Sequence, residues 1–207
     1  MKKSILLLPT CVVFACSLNS CKNPADETTD AEVSESQTVA KSDADAISYV
    51  FAEGSKVNFV GSKVTGSHSG GFNTVTGGFD LNGETPESGK VVIDMTSVFS
   101  DNKKLTTHLK DEDFFDIATY PESTFEATGF EKAEDGTYKI SGNLTMRGTT
   151  KNITFPAEVT NSEDSISVKT TFDIKRKDWG IVYKGKADDL IRDEVVISFE
   201  IKAMPKK

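Results

Sequence analysis

The stretch Thr137–Val159, TYKISGNLTMRGTTKNITFPAEV, decides the fold because its apolar residues alternate with polar ones. Apolar or small residues stand at every second position in both halves: Tyr138, Ile140, Gly142, Leu144 and Met146, then Ile153, Phe155, Ala157 and Val159. A period of two is typical of strands with one buried face. Between the halves lies Arg147-Gly148-Thr149-Thr150, where glycine supplies the positive φ that a tight turn needs. The stretch therefore predicts a β-hairpin with one apolar face.

The same alternation recurs before and after the hairpin, with turn residues between the segments. Six further strands are centred on Val57 and Phe59, on Phe72 to Phe79, on Val91 and Ile93, on Ser123 to Ala127, on Ile166 to Phe172 and on Val195 to Ile201. Eight short, regularly spaced strands are typical of a sandwich or a barrel, and periodicity alone does not separate the two.

One segment, 101–117, interrupts the strand pattern. Asp101 can cap a short helix. Three residues then share one face at offsets of three and four: Leu105, His108 and Leu109. The acidic run that follows is unfavourable at a helix C-terminus, so the helix should end there. A helix followed by two aromatic residues, Phe114 and Phe115, would cover one end of a barrel, and the sequence leaves open whether it is a lid or a plug.

A series of motifs runs through the chain in a fixed order. They are Gly61-Ser62-Lys63, His68-Ser69-Gly70-Gly71-Phe72, His108-Leu109-Lys110, Phe114-Phe115-Asp116, Tyr120-Pro121, Phe125, Gly142-Asn143-Leu144-Thr145-Met146-Arg147-Gly148-Thr149-Thr150-Lys151 and Arg176-Lys177-Asp178-Trp179-Gly180-Ile181. This series resembles the YceI family of bacterial periplasmic lipid-binding proteins. The resemblance implies an all-β fold, an eight-stranded antiparallel lipocalin-like β-barrel with one short helical insert, that encloses a long isoprenoid or related amphiphile.

The N-terminus has the pattern of a lipoprotein signal peptide over residues 1–20. Lys2 and Lys3 precede an apolar run from Ile5 to Ala15, and Leu18-Asn19-Ser20 leads to Cys21. The apolar run is too short to span a bilayer as a mature helix. Cys21 is the predicted lipidation site; Cys16 after Val13-Phe14-Ala15 is a poorer competitor, and an ordinary secretory signal is the remaining alternative. Lipidation would place the protein in the bacterial cell envelope, facing the periplasm or on the cell surface.

Composition divides the rest of the chain into three parts. Residues 21–45 hold many acidic and few large apolar residues, which predicts a disordered acidic tether. Residues 46–203 have the size of one domain with one core, and residues 204–207 form a C-terminal tail. The net charge of −8 argues against nucleic acid as a partner.

Candidate ligand contacts fall into two groups. Aromatic side chains could contact a hydrocarbon chain in the bore: Phe59, Phe72, Phe115, Phe125, Tyr138, Phe155, Phe172 and Trp179. Polar side chains could bind a head group: His68, His108, Arg147 and Arg176. Both histidines lack a second ligand at metal-binding spacing, so no metal and no cofactor other than the bound lipid is expected. The sequence also lacks the nucleophile-elbow, phosphate-loop and zinc-protease motifs, which favours a binding protein over an enzyme.

These observations predict a membrane-tethered β-barrel that carries or stores a long isoprenoid or similar amphiphilic lipid. The alternative is a solid-cored structural or interaction module displayed on the envelope, because the inward residues mix large and small side chains without proving a cavity. The oligomeric state, including a homodimer, is left open.

Overall fold

A computed structural model of the chain describes residues 22–162, 164–187 and 189–207. The predicted signal peptide and Cys21 lie outside the described residues. The elements, in chain order, are a 3₁₀ turn Pro24–Glu27, β1 Thr29–Asp30, β2 Glu32–Glu35, β3 Ile47–Phe51, β4 Lys56–Lys63, β5 Gly66–Phe72, β6 Val75–Asn82, β7 Thr85–Asp94, a 3₁₀ turn Met95–Ser97, β8 Val98–Ser100, α1 Lys103–Leu109, β9 Glu122–Lys132, β10 Tyr138–Met146, β11 Thr149–Ser162, β12 Ser165–Lys175, a 3₁₀ turn Arg176–Trp179, β13 Gly185–Lys186 and β14 Asp189–Pro205.

The strands close into a ring of eight positions. Its order is β12-β11-β10-β9-β7-β6-β3-β14, and β14 pairs back to β12, with every ring pair antiparallel. On the edge of β14 opposite β12, β4 pairs with the first part of the strand and β3 with its last residues. β5 pairs with β4, and β8 pairs with β5. The predicted eight-stranded antiparallel barrel is confirmed.

The hairpin that decided the fold forms as predicted. β10 and β11 pair from Tyr138 opposite Ala157 to Met146 opposite Thr149. The two turn residues, Arg147 at φ 50° and Gly148 at φ 71°, both have positive φ, which is the geometry of a type I′ turn. Ile140, Ile153, Phe155 and Ala157 are buried on the inner face.

The helix begins one residue later than predicted. Asn102, not Asp101, caps α1, and its side chain accepts hydrogen bonds from the backbone N–H groups of Lys104 and Leu105. Asp101 instead accepts from the backbone of Ser69 and lies 2.9 Å from Nδ1 of His68. α1 ends at Leu109, before the acidic run, as predicted. Within the described ranges, no helix has both the length and the apolar character needed to cross a membrane.

The N-terminal segment, residues 22–46, corrects the prediction of a disordered tether, because it wraps the outside of the barrel. β1 pairs in parallel with β12 and β2 pairs antiparallel with β11. The chain then crosses the outer faces of β10, β9 and β7. There the Gln37 N–H donates to the side-chain oxygen of Asn143. The Ala40 N–H donates to the Ala127 carbonyl, and the Asp43 N–H donates to the Glu87 carboxylate. Backbone pairing and polar contacts therefore order a segment that is poor in large apolar side chains.

The N-terminal segment fills a gap in the barrel wall that we call the seam. β11 and β12 pair with each other only from Glu158 opposite Lys169 to the turn that joins them. The last direct link is a 2.6 Å hydrogen bond from the Thr170 hydroxyl to the Pro156 carbonyl. Beyond it, β2 occupies the edge of β11 at Lys151–Thr154 and β1 occupies the edge of β12 at Phe172–Asp173. These two stretches of edge, which do not pair with each other, define the seam.

Polar residues on the outer wall are buried where the N-terminal segment covers them. Four buried polar side chains have partners on the segment or lie opposite it: Ser62 with Asn23, Asp173 with Thr28, Asn143 with Gln37 and Asn152 opposite Ser34. Buried polar groups are stable when they are hydrogen-bonded. The wall surface and the segment are therefore complementary.

The C-terminal end also departs from its predicted boundary. β14 continues to Pro205, opposite Tyr49 of β3, and the Lys206 N–H donates to the Ser48 carbonyl at 2.8 Å. Most of the predicted tail 204–207 is thus part of the wall.

Candidate functional site

Four phenylalanine rings meet halfway along the barrel and form a layer that we call the septum: Phe125, Phe155, Phe172 and Phe199. Phe155 and Phe172 stack with ring centroids 4.2 Å apart, and Phe199 lies edge-on to both at 6.0 and 5.8 Å. Phe125 packs 5.6 Å from Phe155. A Cβ atom at Gly142 would lie 2.2 Å from the Phe125 ring, so glycine makes room for that ring. The predicted hollow bore is therefore not continuous.

On one side of the septum lies the open-end cavity, with a volume of about 220 Å³. It is lined mainly by apolar side chains, including Phe51, Phe79, Phe130, Val168 and Ile201. Exposed residues from the turns and strand ends at this end form its rim: Glu84, Lys132, Gly136 and Asn161. The cavity thus opens toward solvent past a polar rim.

On the other side lies the inner cavity, with a volume of about 130 Å³. Every residue that lines it is buried or half-buried. Ser123 and Arg176 are the polar side chains of its lining, and both are engaged with backbone carbonyls. The surface left to a ligand in this cavity is therefore apolar.

The inner cavity ends at the helical end of the barrel, which comprises α1, the residues after it and the loop after β12. Leu109, Phe114 and Ile181 are buried there in one cluster with Phe59. Arg147 in the hairpin turn donates to the Phe114 carbonyl and holds this connection in place. Phe115 packs against Phe59 and Phe72 at ring distances of 6.5 and 5.9 Å. This cluster packs across the bore at the helical end, and three of its members, Phe59, Leu109 and Phe114, also line a pocket of about 270 Å³ that reaches the exposed Lys186.

Most of the predicted aromatic contacts lie on the bore. Phe125, Tyr138 and Phe155 line the open-end cavity, and Phe59, Phe72, Phe115 and Phe172 line the inner one. Trp179 lines neither cavity: it is fully buried, and its indole N–H donates to the Leu144 carbonyl at 3.0 Å. The predicted ligand contacts did not include Phe51, Phe79, Phe130 and Phe199, although the strand alternation already indicated Phe199 as an inward residue.

The structure does not bring the four predicted polar contacts together at one opening. His68 lies near Asp101, and His108 Nε2 lies 3.1 Å from Asp113 with its ring edge-on to Phe114 and Tyr183. Arg176 is buried and donates to the carbonyls of Arg192, Ile181 and Ile191, and burial lowers the pKa of its guanidinium below the usual value. Within the described residues, no group of three or more histidine, cysteine or acidic side chains is arranged to hold a metal ion.

A closed antiparallel barrel around an apolar bore defines the lipocalin-like class of β-barrel proteins. Residues 49–203 match the YceI-like domain, and the chain belongs to this family, which confirms the resemblance noted in the sequence.

Curated relatives share about half of the chain. A UPF0312 protein of Yersinia pestis is 37% identical over 93 residues, which are 44% of this chain and 48% of the relative. A UPF0312 protein of Pseudomonas putida is 33% identical over 90 residues, 42% and 47% of the two chains. The chain therefore spans about half the length of the curated relatives it matches.

Solved structures show the same fold. BcnA of Burkholderia cenocepacia superposes with a TM-score of 0.67 at 24% identity, over 72% of this chain and 96% of that one. A polyisoprenoid binding domain from Saccharophagus degradans gives 0.64 at 23% identity, over 78% and 99%. The YceI protein of Campylobacter jejuni gives 0.57 at 25% identity, over 67% and 85%.

Proposed function

We propose that the barrel binds a long apolar lipid of isoprenoid type and carries or stores it without covalent chemistry. The observation that carries the proposal is the bore itself: it holds two apolar cavities with the phenylalanine layer between them, and Phe199 lines both. Rings can turn about their side-chain bonds, whereas a polar or charged partition would oppose a hydrocarbon. The Saccharophagus degradans domain, described as polyisoprenoid binding, supports the same class of ligand.

The energetics favour such a ligand in an apolar bore. Removing apolar surface from water contributes about 25 cal/mol per Å², so a long hydrocarbon chain gains many kcal/mol on entering. Flat, unsaturated and branched chains also contact aromatic faces along their length. The bore supplies these contacts from several strands at once.

The two cavities would hold different parts of the ligand. The inner cavity offers an apolar surface and suits the end of the tail. The rim of the open-end cavity carries Glu84, Lys132 and Asn161, which could hydrogen-bond a polar head group. The proposed head-group contacts are therefore these rim residues and not the four polar side chains suggested by the sequence.

Ligand length sets a further requirement. Sites for small molecules usually enclose about 300–1,000 Å³, and each cavity is smaller than that. A long chain therefore needs both cavities, and the septum rings must turn aside to join them. Binding is expected to rearrange Phe125, Phe155, Phe172 and Phe199.

A cavity-filling pair of variants tests the proposal. The full chain is titrated with cis-parinaric acid, a linear polyene whose fluorescence rises in apolar surroundings, and the probe is displaced with geranylgeraniol. Val168→Phe fills the open-end cavity and should weaken binding about tenfold or more. Val50→Phe, the same change at an exposed position on the outer wall, is the matched control and should bind normally.

Two outcomes of this titration would contradict the proposal. If the unmodified chain shows no saturable binding, the solid-cored structural module becomes the better account. If both variants bind like the unmodified chain, the ligand lies outside the bore. Native mass spectrometry of protein purified from a bacterial envelope would then identify what, if anything, the barrel retains.

The proposal includes a lipid anchor at Cys21, in the cell envelope. Its support is the sequence pattern before Cys21 and the position of the first described residues: Asn23 accepts a hydrogen bond from the buried Ser62 on β4, so one residue, Lys22, separates the anchor from the barrel. Two or three acyl chains hold a protein on a membrane almost irreversibly. The barrel would then be held close to the bilayer and not at the end of a long tether.

Mass spectrometry of the mature N-terminus tests the anchor. Cys21→Ser should abolish the diacylglyceryl modification and release the protein from the membrane fraction. Cys16→Ser is the matched control and should leave both unchanged. Loss of the modification in Cys16→Ser alone would transfer the anchor to the competing site.

A further inference from the structure

Side chains of the core bound the inner cavity at two ends. Leu109, Phe114 and Ile181 of the helical end lie at one end, and the septum separates the cavity from the open-end cavity at the other. The remaining side is the barrel wall, whose strands pair with their neighbours around the ring. At the seam, however, the wall is completed by residues from outside the ring.

The seam lies directly against the inner cavity. Ile153 of β11 and Phe172 of β12 line that cavity, and their wall partners are Val33 and Thr29 of the N-terminal segment. Between these partners, Ala31 is buried in the main core, and its N–H donates to the Asp173 carbonyl at 2.9 Å. Withdrawal of residues 28–35 would therefore remove part of the wall of the inner cavity and leave the ring of eight strands in place.

The contacts that hold residues 28–35 are few and mostly polar. The pairing comprises two residues on β12 and four on β11. Salt bridges Lys139–Glu32 and Lys151–Glu35 are solvent-exposed, and Val33 is 39% exposed. Wall elements with few buried apolar contacts are the ones that open at low free-energy cost. Strand edges uncovered in this way can pair again with the same segment.

From these contacts we infer that residues 28–35 form a removable wall strand, and that its release opens a lateral portal through which an apolar chain enters the inner cavity. The inference rests on the proposed function, since it describes the route of the same ligand. A chain that enters between β11 and β12 reaches Ile153 and Ile174 without passing the polar rim or crossing the septum. The acidic N-terminal segment thus acts as a gate in the wall.

A reversible cross-link across the seam tests the portal. Glu35 and Lys151 are paired positions, and Cα atoms of antiparallel partners lie about 4.5–5.5 Å apart, within the range that a disulfide spans. The full chain carrying Glu35→Cys with Lys151→Cys is compared in its oxidised and reduced forms. Peptide mapping verifies that the cross-link joins positions 35 and 151 and excludes Cys21.

The readout is the rate of cis-parinaric acid uptake in stopped-flow fluorescence, with geranylgeraniol as competitor. Oxidation should slow uptake by about tenfold or more, because a closed gate limits entry, and should leave the final amplitude unchanged. Thr28→Val, which removes the hydroxyl that donates to Asp173, should speed uptake in the chain without the cross-link. The matched control joins Glu158 and Lys169, which already pair directly, and its oxidation should have no effect.

The outcomes separate the portal from the function. Equal uptake rates in the oxidised and reduced seam variant, with normal binding, would overturn the portal and assign entry to the open end while the proposed function stands. Absence of saturable binding in every form would overturn both. Slow uptake in the oxidised seam variant alone, with faster uptake in Thr28→Val, would support the portal.

Discussion

The barrel wall and the N-terminal segment are both built on β pairing, yet different forces hold them. Ring strands such as β12 and β14 pair over ten consecutive residues and bury alternate apolar side chains, among them Phe172 and Phe199. The segment pairs over two and four residues and buries Ala25 and Ala31 as its apolar contribution. Its remaining contacts are ion pairs and polar hydrogen bonds. The wall is therefore expected to unfold as one unit, and the segment to detach locally before it.

The largest expected effect comes from breaking the wall at the septum. Phe172→Ala removes a fully buried ring that stacks on Phe155 and lies edge-on to Phe199. The free energy of unfolding should fall by about 3–5 kcal/mol, because such truncations lose burial and leave a cavity. Phe99→Ala, at a 39% exposed ring, is the control and should cost much less. A loss below about 1 kcal/mol in chemical denaturation would mean that the septum is not part of the packed core.

The next prediction distinguishes detachment of the N-terminal segment from unfolding of the barrel wall. Ala31→Asp places a carboxylate at the buried centre of the seam. It should weaken docking, the pairing of residues 28–35 with the barrel wall, by about 1–3 kcal/mol. Amide exchange should accelerate at residues 29–35 and stay slow in β9 and β10. Ser34→Asp adds the same charge at an exposed position of the segment and is the control. Equal acceleration throughout the barrel would show that wall and segment form one cooperative unit.

The same contrast explains what the sequence could predict. The wall follows from period-two alternation, as at Ile153, Phe155 and Ala157, because one face of each strand is buried and the pattern records it. The segment was predicted to be disordered because its residues are acidic and small. Its order depends on hydrogen bonds to Asn143 and Asp173, which lie more than 100 residues away along the chain. Sequence-distant polar pairs leave no periodic signal.

The candidate site was predictable to a similar extent. Alternation identified inward rings such as Phe59 and Phe155, and both line the bore. Alternation did not predict the septum. Phe155 and Phe172 lie 17 residues apart on different strands, and whether their rings stack depends on how those strands curve. Arg147 and Arg176 were candidates because a polar head group needs hydrogen-bond donors, whereas the structure directs both to backbone carbonyls.

A smaller effect comes from the pH dependence of docking. Burial raises the pKa of the Asp173 carboxyl above its usual value, and nearby Asp30 and Glu194 add to this, while the Thr28 hydrogen bond partly offsets the rise. A carboxyl whose pKa is raised in the docked state favours docking when it is protonated. This contribution is therefore complete below the ordinary carboxyl pKa of about 4 and is lost as pH rises through the raised value.

Asp173→Asn should remove that dependence, because the amide stays neutral and its oxygen can still accept from Thr28. At pH 7 the variant should dock more tightly than the unmodified chain by about 0.5–1 kcal/mol, measured as slower amide exchange in residues 29–35. Asp193→Asn, at a neighbouring acidic residue whose partner is Lys177, is the control. Weaker docking of Asp173→Asn at pH 7 would contradict the assigned sign.

The smallest effect concerns the exposed ion pair Lys151–Glu35, with Nζ and Oε1 2.8 Å apart. A hydrogen bond and the charge of Lys151 lower the pKa of Glu35, so this pair stabilises docking above the ordinary carboxyl pKa and its contribution is lost as pH falls through the lowered value, opposite in sign to Asp173. Exposed pairs are weak and are screened by salt. Glu35→Gln should therefore slightly accelerate exchange at residues 32–35 in dilute buffer and have no effect in 1 M salt, where the ions already screen the pair. An equal acceleration at both salt concentrations would assign the effect of Glu35 to packing or backbone pairing instead of charge, and the segment would then resemble the wall more closely than its composition suggests.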